Sequence, residues 1–344
     1  MRTAGVALIV ALAALAPGAT KAGSSGLTFL VAGARTPAYD GFVEVLAARG
    51  HVQRVLSRGG HAQSAARWAP DGSMLAWTDG SGLSVERRDG RNRRVLVPLP
   101  RHCGGVCAPL TFGWSPDGRK LVVGGAGAQT NRLLVVAVGT GAKTDLVKPR
   151  PFVEYGVVGW SRNGSTIAYV RTSGDPGTRS CCGLELFVSR SDGTRARSLF
   201  SFAEPIHDVP FASFSPNGRS IAFTTDGRAR HDPRFAIVDV RSGRVRHITS
   251  VAPMIETPEW SPDSKRLAVV AGHVVTLDTR GQNVRQLPVI APDGAFLAWT
   301  RSGALVIARG ATTSEVLVSS DGRSRPSVAF RMPSKQVILS IDAR

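Results

Sequence analysis

A β-propeller, an all-β ring of four-stranded blades, is the fold this sequence predicts, and three observations predict it. The first is a repeated aromatic anchor: Trp68 in WAPDGSMLAW, Trp114 in WSPDGRKLVV, Trp160 in WSRNGSTIAY, Phe214 in FSPNGRSIAF, Trp260 in WSPDSKRLAV and Trp299 in WTRSGALVIA. The second is the spacing of those anchors, 46, 46, 54, 46 and 39 residues, which suits about four short strands per repeat. The third is a set of seven glycine turns, at Gly50, Gly90, Gly141, Gly193, Gly243, Gly281 and Gly322, against only six anchors.

Each repeat reads the same way along the chain. The anchor ends an inner strand and a Ser-Pro-Asp-Gly type turn follows, in which Pro fixes φ, Asp or Asn bonds its own backbone and Gly takes the positive-φ position. A short apolar second strand comes next: Met74 to Thr78, Leu121 to Gly124, Ile167 to Val170, Ile221 to Thr224, Leu267 to Val270 and Leu305 to Ala308. Runs this short and rich in β-branched residues make strands rather than helices. A third strand leads into the glycine turn and a fourth leaves it.

The unmatched seventh turn points to ring closure. Leu27 to Ser57 supplies the second, third and fourth strands of a blade that lacks its first, and Gln336 to Asp342 (QVILSID) is an apolar strand without a blade. Joining them completes a seventh blade and leaves no open sheet edge. Seven blades are therefore expected; the alternative is six, with the N-terminal strands packed separately.

The W-S-P-D-G-x-x-[LI]-[AV] unit resembles the TolB-type, WD-repeat-like propeller repeat, over about residues 27 to 344. That resemblance implies a protein-binding platform in the cell envelope, or the gating domain of prolyl oligopeptidase-like and tricorn-like peptidases. The chain departs from those peptidases in showing no attached hydrolase.

Residues 1–22 read as a cleavable secretory signal, with one early basic residue, Arg2, an apolar stretch from Ala4 to Ala16 and a cut after Ala22. Residues 23–344 are then one propeller domain. The apolar run is too short to span a bilayer comfortably, so no transmembrane anchor is expected after its removal. An exported protein, periplasmic, cell-envelope or extracellular, follows, and a monomer is expected.

Four cysteines, an even number, suit an oxidising compartment. Cys103 and Cys107 precede Trp114, and Cys181 and Cys182 lie in the longest loop of the next blade, on the same face. Joining one pair to the other across neighbouring blades is the preferred connectivity, local pairing the alternative. A zinc site fits poorly, because adjacent cysteines are awkward ligands.

Net charge is +18, and +16 without the signal. Such a field attracts polyanions, yet Arg87, Arg88, Arg91, Arg93, Arg94, Arg241, Arg244 and Arg246 are dispersed around the glycine turns, where they read as edge protection and solubility. Nucleic acid is not expected, since no basic-aromatic stacking motif is present.

The sequence shows no Gly-x-Ser-x-Gly elbow, no spaced histidine pair and no phosphate loop, so no metal, cofactor or catalytic set is assigned. Asp71, Asp117 and Asp263 read as turn residues and the tryptophans as inter-blade packing. One constellation stands out: Glu154, Asp208 and Asp293 each lie six residues before an anchor, where equivalent positions point to a common pore. His207 and Glu256 extend that ring into a candidate binding site. The expected function is a non-enzymatic scaffold for a protein or acidic envelope polymer. The alternative is a glycosidase or lyase acting on an envelope glycan, with Glu154, Asp208 and Glu256 as acid and base.

Overall fold

A computed structural model describes the chain from Leu27 to Ala343 apart from residues 36–39, 48–49, 59–64, 80, 100–109, 126–130, 151–152, 174–182, 203–211, 226–233, 252–256, 292–294, 310–314 and 332–335. It contains seven four-stranded antiparallel sheets. Six are simple meanders, blade 2 within 66–98, blade 3 within 111–145, blade 4 within 153–202, blade 5 within 212–248, blade 6 within 259–290 and blade 7 within 295–331. In blade 1 the strand Gln336–Ala343 is the innermost member, ahead of Thr28–Arg35, Asp40–Ala47 and Val52–Arg58. The C-terminal strand thus closes the ring, with Leu30 opposite Asp342 and Phe29 opposite Ala343. The six-blade alternative is excluded.

The apolar core is divided among the blade interfaces. Seven buried clusters form, and each joins one pair of neighbouring blades: Phe29, Leu46 and Val306 between blades 1 and 7, for example, and Trp68, Trp77 and Val43 between blades 1 and 2. Second strands are buried on both faces because each blade lies between two others, which is why they read as continuous apolar runs in sequence.

Two sets of polar bonds reinforce this packing. Near the axis, three of the five anchor indoles donate to the carbonyl of the residue preceding the anchor one blade back: Trp114 to Arg67 at 3.3 Å, Trp260 to Ser213 at 3.1 Å and Trp299 to Glu259 at 3.1 Å. The turn acids act locally, as expected: the Asp117 carboxylate accepts from Ser115 Oγ at 2.6 Å and from the Arg119 N–H at 3.1 Å, and Asp263 repeats the pattern with Ser261 and Lys265.

At the periphery, each blade holds the third-to-fourth turn of the next. Phe330 packs on Gly50, Arg54 donates to the Arg88 carbonyl, Arg94 to those of Val138 and Gly139, and the Leu146 carbonyl abuts Gly193. Arg197 reaches Val240 and Arg241, Arg246 reaches Thr279, and Thr276 Oγ1 donates to the Gly322 carbonyl. Seven such links complete the circle. Gly193 has φ 83°, and a side chain there would collide with the Leu146 carbonyl, so glycine is required on two counts.

Candidate functional site

The residue just before each anchor occupies one register position on every inner strand: Arg67 opposite Ala76, Gly113 opposite Val122, Gly159 opposite Ala168, Ser213 opposite Ala222, Glu259 opposite Ala268 and Ala298 opposite Val306. Asp342, opposite Leu30, is the blade 1 member. Inner strands converge on the axis, so these residues form a ring around it. Glycine, glycine and serine occupy blades 3 to 5, while Glu259, Asp342 and Arg67 lie on blades 6, 1 and 2, with Ala298 between them. The ring has a small half and a charged half.

Burial raises the Glu259 pKa above its ordinary 4.5 to about 7; the positive charge of Arg67 opposes this and the negative charge of Asp342 adds to it. Blades 6 and 2 are not neighbours, so Glu259 and Arg67 sense each other across the axial region. Glu259 itself is half-buried and Arg67 is exposed. Asp342 is held in place by the Trp68 N–H at 2.8 Å and the Ala343 N–H at 2.9 Å. Room is left on the other side: Gly159 has φ 144° at a bulge, with no atom within 4 Å of where a Cβ would stand. A carboxyl poised near neutrality in the field of a guanidinium across the axis can donate or accept a proton, or bind a ligand that carries opposite charges.

Glu154 lies on the inner strand of blade 4, opposite Thr172 and half-buried. Five residues separate it from Gly159, about 16 Å along an extended strand, so Glu154 is at a different level from Glu259. His207, Asp208, Glu256, Asp293 and the four cysteines Cys103, Cys107, Cys181 and Cys182 lie outside the described residues, as does the segment 1–22. Among the described residues no group of three or more His, Cys, Asp or Glu is placed to hold a metal, and no helix is long and apolar enough to cross a membrane.

Sequence reasoning passed over Glu259, Arg67 and Asp342. The available signal was the column immediately before the anchors, where charge stands out among small residues. Asp342 enters that column only once the C-terminal strand is aligned as a seventh inner strand.

The fold and this ring define a seven-bladed propeller with a polar axial site. No known protein-family model matches the chain. Among solved structures, an oligogalacturonate lyase in complex with manganese is similar at TM-score 0.59 and 13% identity, over 89% of this chain and 86% of that one. A chain of the mitotic checkpoint complex matches at TM-score 0.58 and 13% identity, over 81% and 79% of the two chains. TolB from Acinetobacter baumannii matches at TM-score 0.51 and 14% identity, over 88% and 79%. The likeness is one of fold.

Proposed function

We propose that the protein is an exported binding propeller, TolB-like in use as in fold, that presents the loops of one face to a protein or an acidic envelope polymer. One observation supports this above others: the widest length variation falls on that face, the third-to-fourth turns of the other running only from four to seven residues. The inner-to-second turn is five residues long in blades 2 to 7, whereas the second-to-third connection ranges from two residues, 80–81 and 271–272, to nine, 174–182. Loops that vary on a constant scaffold are where recognition residues are placed. Cys103, Cys107, Cys181 and Cys182 fall within connections of this face, and their pairing as disulfides belongs to the same proposal. Intact mass after alkylation without reductant tests it; four alkylated thiols would remove it.

Shortening 174–182 and 226–233 to two-residue turns is the direct test of the binding reading. Capture of a defined envelope component by the wild-type protein should be lost in that variant. Capture that survives shortening excludes the loops as the recognition surface.

A second reading rests on Glu259. Its proton near neutrality and the charge of Arg67 across the axial region suit acid–base work on an acidic glycan, with the guanidinium holding a sugar carboxylate. Oligosaccharides bearing uronic acids would be cleaved by the wild-type protein and not by Glu259→Gln. Equal cleavage by both rules this reading out.

A further inference from the structure

Charge is sorted by face on this molecule in a way the linear sequence conceals. In a four-stranded meander the first-to-second and third-to-fourth turns emerge at the same end of the blade, so these turns from all blades share one face of the ring. On that face exposed arginines and lysines outnumber acids by more than two to one. Blades 2 to 7 each contribute, through Arg91, Lys143, Arg195, Arg244, Arg280 and Arg323, all exposed and none with a side-chain hydrogen bond or ion pair to the described residues. The aspartates of the face are engaged in their own turns, as in Asp192 with Thr194 and Asp321 with Ser324. Arginines that bridge blades, such as Arg94 and Arg246, bond to neutral carbonyls and keep their charge.

Among the described residues the opposite face is nearly balanced instead. Its described cations are largely paired across strands, Arg132 with Asp145 at 2.7 Å, Arg309 with Glu315 at 3.0 Å and Arg171 with Glu185.

We propose that the turn face docks on a bilayer surface rich in anionic phospholipid headgroups. Three features favour a surface over a strand of polymer. The cations lie around six of the seven blades rather than along a groove. The turns of this face are short, five residues for every first-to-second turn of blades 2 to 7 and four to seven for the third-to-fourth turns, whereas the second-to-third connections of the other face run from two to nine. Arginine predominates, and its planar fork pairs with phosphate oxygens two at a time. A ring of charges that reaches the surface together binds strongly although each contact is weak and screened within about 8 Å at physiological salt. Docked this way, the protein turns its variable loops toward the compartment; the proposal stands whether or not those loops bind the proposed partner.

The test is co-sedimentation of the protein with phosphatidylcholine vesicles, with and without about 30 mol% phosphatidylglycerol. Binding is expected only to the anionic vesicles and should weaken as salt is raised. Arg195→Gln combined with Arg323→Gln should lower the partition coefficient by about tenfold, while Lys148→Gln combined with Arg150→Gln, an equal charge change on the other face, should leave it within about twofold. All four positions are exposed, and an unchanged melting midpoint shows that the folds are intact. Equal loss in both pairs would mean attraction by net charge alone and overturns the proposal. So does an unchanged partition in the turn-face pair, or binding to soluble polygalacturonate without binding to vesicles.

Discussion

Glu259 is where a single side chain has most to reveal. Its folded pKa, about 7, lies above the ordinary 4.5, so the folded state holds the proton more tightly than the unfolded chain does. That stabilising contribution is complete below about pH 4.5 and is lost as pH rises through 7. Replacing the carboxyl by an uncharged amide of the same shape removes the cost of ionising it. Glu259→Gln should therefore melt like the wild type at pH 5 and above it at pH 8, by an amount on the order of 1 kcal/mol once screening by axial solvent is allowed for. Identical wild-type and variant melting at both values would show that this carboxyl titrates normally. The turn acids show the opposite sign. Hydrogen bonds from the Ser115 hydroxyl and the Arg119 N–H hold Asp117 below its usual 3.8, and Asp239 and Asp321 are lowered chiefly by the Ser242 and Ser324 N–H groups. Their contribution is present above pH 3.8 and fades as pH falls through the depressed values. Asp117→Ala should lower stability by about 1 kcal/mol at pH 7 and by progressively less on acidification, measured by denaturant titration. These turn roles were legible in sequence because Ser-Pro-Asp-Gly encodes its own local bonding. The axial site was not, because Glu259, Arg67 and Asp342 are brought together only by ring closure, and their separation in the chain carries no local pattern.

Between neighbouring elements, the arginines show what pattern reading misses. Placed around glycine turns, they look like solubilising charges on free edges; several instead tie one blade to the next. Blades 1 and 2 meet at the clearest case. The buried Glu86 carboxylate pairs with Arg54 Nε at 3.0 Å and Arg93 Nε at 2.5 Å, while Arg93 lies over the Trp77 ring at 5.2 Å and donates to the Leu56 carbonyl. Two strands from neighbouring blades and the third-to-fourth turn of blade 2 are joined through one carboxylate. Removing its charge leaves two guanidinium groups facing each other without a counterion, which costs more than the loss of an exposed pair. Glu86→Gln should destabilise the protein by about 2 kcal/mol and lower its melting midpoint by about 3 °C. A midpoint within a degree of wild type would mean that the pairs contribute nothing net. In sequence Glu86 is an acid beside Arg87 and Arg88 at a strand end, and only the approach of Arg54 from another blade makes it a junction.

At the scale of the whole ring, stability depends on closure. The core is seven interfaces rather than one mass, so each blade is buried only while both neighbours are present. Blade 1 is built from both ends of the described chain, and its inner strand supplies Ile338 and Ile341 to the interface with blade 7 and the Asp342 carboxylate to the Trp68 N–H. The strand was readable as an apolar segment with no blade, because an odd count of turns and anchors demands a partner for it; its register, with a shift between Ala32 and Gly33, was not. Loss of residues 336–344 would expose the edge of Thr28–Arg35 together with the apolar faces of blades 1 and 7. The expected outcome is loss of the single cooperative transition and association through the open edge, seen as oligomers in light scattering. A synthetic peptide of residues 336–344 supplied in trans should restore the monomer, since the missing contacts are those of one strand. A truncated chain that stays monomeric and melts as the full one does would show that six blades and three strands suffice, and that the closing strand is an addition to the fold rather than a condition of it.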